Sequence, residues 1–152
     1  MRNYLPAILN GLAAVGVLLL SFLVNLRLPI PASRAKLLGM LTLYAGMALV
    51  IWAAVHIKGA MSGMVQPVHD RLVKEGPYRY VRHPVYLGMT IALVGATVAL
   101  RSWLGFMGVF VLFLPSVLYR ARKEERALAH KFGGAWEAYV RQTGFLLPWS
   151  RR

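Results

Sequence analysis

A chain of 152 residues with 58% hydrophobic content and a mean hydropathy of +0.54 is one small domain, too apolar for an ordinary soluble protein. Its formal net charge of +13 does not indicate nucleic acid, because the basic residues flank apolar runs and no nucleic-acid-binding motif is present; attraction to anionic lipid headgroups is the expected consequence. The absence of cysteine, with a count of 0, excludes disulfides, thiolate metal sites and a cysteine nucleophile.

Four runs lack Asp, Glu, Lys and Arg: Asn3 to Leu26 (24 residues), Leu37 to Ile57 (21), Pro84 to Leu100 (17) and Ser102 to Tyr119 (18). A helix rises ~1.5 Å per residue and the hydrocarbon core is ~30 Å thick, so the first two runs suffice to cross and the last two reach only ~25 to 27 Å. The short pair is either a hairpin that just spans or one sunk into the protein. The first run is read as a retained span, since it is long for a secretory leader and no small-x-small site closes it. Pro29 and Pro31 mark the turn that follows, and Gly11, Gly16, Gly39 and Gly46 suit close helix packing.

From Lys58 to Arg82 the composition shifts to Gly, Pro and charge, which reads as a loop with at most a short helix; ordered loops of about 25 residues are usually functional. Arg101-Ser102 predicts a tight turn. Beyond Pro115 the fourth helix is expected to continue through Arg120 and Glu124 and to break near Gly133-Gly134. Leu128, Phe132 and Trp136 recur at four-residue spacing, which predicts a stripe lying on the membrane surface or over the loop. If all four runs cross, 14 of the 18 basic residues fall on one side, leaving Arg27, Arg34, Lys36 and Arg101 on the other. The positive-inside rule then puts both termini and the loop in the cytoplasm. The expected architecture is all-α: about four transmembrane helices, the last two a possible short hairpin, in a single membrane domain over 1–152. Within it, 1–57 form two scaffold spans, 58–83 a cytoplasmic motif loop, 84–119 a helical hairpin and 120–152 a cytoplasmic helix and tail.

The chain has 5 acidic residues, Asp70, Glu75, Glu124, Glu125 and Glu137, so two adjacent ones where the fourth helix emerges are notable. Arg120 and Glu124 are four apart and share a helix face. Taken alone they read as a surface ion pair, yet charges at the hydrocarbon edge more often line a polar cavity than a lipid face. His83 precedes Pro84, which favours the first turn of the third helix. It serves either as a helix-start residue or as a ligand contact beside outward-pointing N–H groups. His56, His69 and His130 are scattered, without the spacing of a metal site. Tyr78, Tyr80 and Tyr86 suit an interfacial belt, and their faces can also hold a cation such as a sulfonium.

In order, Leu72-Val73-x-x-Gly76-Pro77-Tyr78, then Arg82-His83-Pro84-x-Tyr86-x-Gly88, then Arg120-x-x-x-Glu124-Glu125-x-x-Leu128-x-x-x-Phe132-Gly133 and Tyr139, resemble the isoprenylcysteine carboxyl methyltransferase family. Phospholipid methyltransferases carry a related pattern. The resemblance runs from Gln66 to Pro148, and the first two spans match only as apolar helices. It implies S-adenosylmethionine as cofactor, bound by Gln66, by Asp70, Arg71, Leu72 and Val73, by Tyr78, by His83, Pro84, Val85 and Tyr86, and by Glu124. Arg120 falls at the substrate-facing position. Asp70 departs from the histidine frequent in the family. The implied reaction is methyl transfer to a lipophilic acceptor in the membrane, foremost an isoprenylcysteine carboxylate, which is ionised at neutral pH and needs no base. Three rivals stand beside it: methylation of a lipid amine or small thiol, a nicotinamide-dependent sterol-reductase-like enzyme, whose usual asparagine is Val85 here, and a non-enzymatic membrane assembly subunit.

Overall fold

The computed structural model describes residues 4–24, 26–57 and 72–148. Its elements are helical: α1 (Leu5–Leu23), α2 (Ala32–Ile57), a 3₁₀ turn at Gly76–Arg79, α3 (Pro84–Ala99), α4 (Trp103–Gly108), a π-helical turn at Val109–Phe113, α5 (Leu114–Phe132) and α6 (Gly134–Gln142). α4, the π turn and α5 join into one rod, Trp103–Phe132, of 30 residues. Among the described residues, this rod, α1 and α2 are the three helices long and apolar enough to cross a membrane. α3, with 16 residues, is ~24 Å long, short of the hydrocarbon core. The two short runs are therefore unequal: one remains short and the other extends well past its apolar stretch.

The three long helices leave their apolar side chains outward, with at most 33% of each apolar window buried in protein. Phe22, Leu23, Leu37, Ile51 and Val111 are all exposed. Such a surface is stable only against lipid, since a water-soluble chain of this size does not leave so large a continuous apolar face uncovered.

α2 and α3 pack antiparallel, and glycine decides how closely. A Cβ at Gly39 would run into the backbone of Ala99, one at Gly46 into Ala92, and one at Gly95 into Leu43. Gly88 faces Gly46 and Val50 in the same way. The glycines sit seven residues apart on each helix, two turns, so they stack along one seam and let the backbones touch. Gly39 and Gly46 thus act as the sequence suggests. Gly11 and Gly16 do not, because a Cβ at either would meet nothing within 4 Å. α1 instead buries Pro6, Asn10, Val17 and Ser21, a stripe turned by about one helical position, against the long rod. There Val17 packs beside Gly108, Ser21 beside Gly105, and the Asn10 amide, in the orientation that satisfies its neighbours, donates to the Ser116 carbonyl at 3.0 Å.

Pro115 explains the π turn: it has no N–H for the carbonyl four residues back, and its ring would strike that carbonyl. At the far end of the molecule, Arg101 has φ +56, a conformation that non-glycine residues rarely adopt. It is held by Leu28 N–H donating to the Arg101 carbonyl (2.6 Å) and Trp103 N–H donating to Leu26 (2.9 Å), which tie the first turn to the expected Arg101-Ser102 turn. Ser102 caps α4 by accepting from Gly105 N–H at 3.0 Å. The core where the halves meet is Val17, Tyr86, Leu93, Val109, Phe113, Val117 and Ala121.

Gly133, with φ +50, ends α5 and turns the chain back into α6. The proposed Leu128-Phe132-Trp136 stripe is therefore split over two helices: Leu128 and Phe132 are half-buried on α5, while Trp136 is buried on α6.

Candidate active site

The first turn of α3, the emerging part of α5 and α6 with the segment after it converge on one polar cluster. Pro84 starts α3 with its fixed φ, and the Leu87 N–H donates to the His83 carbonyl at 3.1 Å, which makes His83 the N-cap residue. Tyr86 then points from the first turn across to α5. Its hydroxyl donates to Glu124 Oε1 at 2.5 Å, and Arg120 Nε donates to the same oxygen at 3.0 Å. The Arg120 guanidinium also lies 5.6 Å from the Tyr86 ring centroid. Arg120 and Glu124 side chains are only 14% and 19% exposed, so the pair is not a solvated surface bridge. A carboxylate engaged by two donors at low exposure is held firmly, and one of its oxygens stays open to a further partner.

His83, buried at 6% exposure, lies between two carboxylates. Nδ1 is 3.9 Å from Glu124 Oε2 and Nε2 is 3.4 Å from Glu125 Oε1, but the angle denies Nε2 a hydrogen bond. Its ring stacks on Tyr86 at 5.6 Å and meets the edge of Phe145 at 5.0 Å. Arg82 anchors the other carboxylate, its Nε donating to Glu125 Oε1 at 2.6 Å. The same guanidinium donates to the Thr143 carbonyl at 2.6 Å.

Residues 143–145 form a strap over this end of α3. Arg82 N–H donates to the Gly144 carbonyl (2.9 Å), His83 N–H to Phe145 (3.3 Å), and Gly144 N–H to Tyr80 (3.1 Å). From α6, Tyr139 donates its hydroxyl to the Tyr78 carbonyl at 2.7 Å, and Thr143 donates back to the Tyr139 carbonyl at 2.7 Å. Burial pushes the Tyr78 phenol well above the usual range, with Tyr139 and Glu124 adding to it. Burial likewise raises Tyr139, partly opposed by Arg82. Both are neutral hydrogen-bonding groups at physiological pH. The 3₁₀ turn rests on the end of α2, where Gly76 at φ +58 has its Cα against the His56 ring, leaving no room for a Cβ.

Of the residues singled out by sequence, Tyr78, His83, Pro84, Tyr86, Arg120 and Glu124 come together here. Val85 is half-buried on the same turn of α3, and Leu72 and Val73 are half-buried on the approach to the 3₁₀ turn. Gln66, Asp70 and Arg71 lie outside the described residues. Sequence reasoning missed the strap altogether and gave Arg82 and Glu125 no partners. The signal available was weak: a Gly-Phe pair after a short amphipathic helix.

Residues 35–135 match the sequence model of the phospholipid methyltransferase family. A stretch of 74 residues is 34% identical to methanethiol S-methyltransferase 1 of Bradyrhizobium diazoefficiens, covering 49% of this chain and 25% of that protein. The chain thus spans about a quarter of the length of the curated relative that it matches.

Proposed function

As the chain belongs to the phospholipid methyltransferase family, an integral membrane family, we propose that it transfers a methyl group from S-adenosylmethionine to a lipophilic or small apolar acceptor at the Tyr86–Glu124–Arg120 cluster. The observation that carries this reading is the Glu124 carboxylate, presented at low exposure by Tyr86 and Arg120 beside the first turn of α3. Glu124 would accept from the cofactor's hydroxyl or ammonium groups. Tyr78, His83, Pro84, Val85 and Tyr86, together with Leu72, Val73, Asp70, Arg71 and Gln66 on the loop, would surround the rest of it. The distribution of Lys and Arg supports a cytoplasmic cofactor site.

Methyl transfer from a sulfonium is an in-line displacement. The acceptor's lone pair forms the new bond to carbon as the S–CH₃ bond breaks and its electrons return to sulfur, leaving the neutral thioether. Positioning does most of the work, since oriented contact can supply ~7 to 11 kcal/mol of the barrier. Arg120 is the residue for the acceptor. Its Nε is committed to Glu124, and among the described residues its terminal nitrogens have no hydrogen-bond partner, which leaves a two-point face for an anionic head. That face suits an isoprenylcysteine-like carboxylate. The relative's name favours a thiol as a second reading, in which the thiolate would meet the same guanidinium.

Isothermal titration of detergent-solubilised protein with S-adenosylhomocysteine tests the assignment, with saturable binding expected. Folded protein that binds NADPH and not S-adenosylhomocysteine would turn the reading to a reductase. Parallel turnover assays with a prenylcysteine carboxylate and a short alkyl thiol then separate the acceptors.

A further inference from the structure

The side of α5 facing away from the Glu124 cluster carries a pattern that methyl transfer does not explain. Pro115, Tyr119, Arg122, Arg126 and Ala129 follow at alternating four- and three-residue steps, so they form one stripe along the helix, and all five are exposed. Above them the rod turns Val111 and Leu112 outward. One continuous face therefore passes from apolar, through a tyrosine, to two arginines. From Tyr119 the rise is ~4.5 Å to Arg122 and ~10.5 Å to Arg126. The headgroup layer is roughly 5 to 8 Å deep beyond the hydrocarbon, so Arg122 starts within it, while Arg126 starts just past it and leans back toward it, because helix side chains tilt toward the amino terminus.

A cleft of about 300 Å³ opens at this level between α5 and α6, lined by Arg122, Glu125, Arg126, Ala129 and Trp136. Its one carboxylate, Glu125, is already paired with Arg82 at 2.6 Å and does not neutralise the arginines. Among the described residues Arg122 and Arg126 have no hydrogen-bond or ion-pair partner. Two uncompensated guanidinium groups that share a cleft floored by a tryptophan are complementary to a phosphodiester held at the membrane surface. We infer that the α5–α6 cleft binds the headgroup phosphate of an anionic phospholipid, whose acyl chains lie along Val111, Leu112 and Tyr119. This site is separate from the proposed methyl-transfer site and does not depend on that reading.

Native mass spectrometry of the full chain, released from mixed micelles containing phosphatidylglycerol, reads the bound lipid directly. Arg122→Gln combined with Arg126→Gln should weaken retention about 30-fold, from about 1 kcal/mol per basic residue at an anionic surface. Arg122→Lys with Arg126→Lys should keep most of it. Arg34→Gln with Lys36→Gln removes the same charge at exposed positions of α2 and should change little. Equal losses in the two Gln pairs would reduce the effect to diffuse attraction and overturn the site, as would unchanged retention in the first. Displacement of the lipid by millimolar inorganic phosphate would also overturn it, in favour of a soluble anion.

Discussion

The two ends of α3 are held by opposite kinds of chemistry. Along most of its length it lies against α2 through Gly39, Gly46, Gly88 and Gly95, where shape alone acts and no atom can be added. At its first turn Tyr86 and His83 are surrounded by Glu124, Glu125, Arg82 and Arg120, and directional, charge-assisted bonds act instead. A helix shorter than the hydrocarbon core gains position from neither length nor a broad apolar face. Backbone contact fixes its axis, and the polar end can then present Tyr86 to α5 with little freedom. The glycine seam should therefore tolerate no change of volume and the polar end no change of bonding geometry.

The largest expected effect is at the seam. Gly95→Leu would force the α2 and α3 backbones apart, and little folded protein should be recovered in size-exclusion chromatography of the detergent extract; overpacking that cannot relax costs more than the usual ~1–3 kcal/mol. Normal yield and melting would mean that the helices are not in backbone contact. At the polar end, Arg120→Lys keeps the charge and loses the two-point face. Turnover should fall on the order of 100-fold, as misplacement by about 1 Å can do, while S-adenosylhomocysteine affinity stays near wild type. Unchanged turnover would remove Arg120 from the acceptor.

Glu124→Ala should weaken S-adenosylhomocysteine binding about ten-fold or more, since charged hydrogen bonds contribute about 1.5 to 3 kcal/mol, with a smaller change in melting temperature. Wild-type affinity in this variant would make the carboxylate a structural partner of Arg120 alone. The smallest effect is expected at Gly11→Leu, where an added side chain meets nothing within 4 Å and stability should stay within about 0.5 kcal/mol. A large loss there would reveal a packing partner for that face of α1.

That pair of glycine predictions also marks what one sequence can convey. Apolar runs located the long helices, because crossing lipid constrains length and composition directly. Spacing brought Arg120 onto the face of Glu124 and set Pro84 at the start of α3, since both follow from helix geometry. Gly11 and Gly39 look alike in sequence, and only the neighbouring helix distinguishes them. Nothing local announced that Arg82 would meet Glu125 and the Thr143 carbonyl, because the first contact needs α3 and α5 side by side and the second exists only after Gly133 has turned the chain back.

The strap carries a consequence for biosynthesis. Arg82 receives its Thr143 partner 61 residues downstream, and Tyr80, Arg82 and His83 wait for Gly144 and Phe145 in the same way. At about 5–20 residues per second of translation, α3, complete at Ala99, can insert beside α2 roughly 2 to 9 seconds before Thr143 and the strap exist to close over its amino-terminal turn. The order of synthesis thus lets the glycine seam form while the strap over His83 is still absent, and the ribosome's progress sets how long that interval lasts.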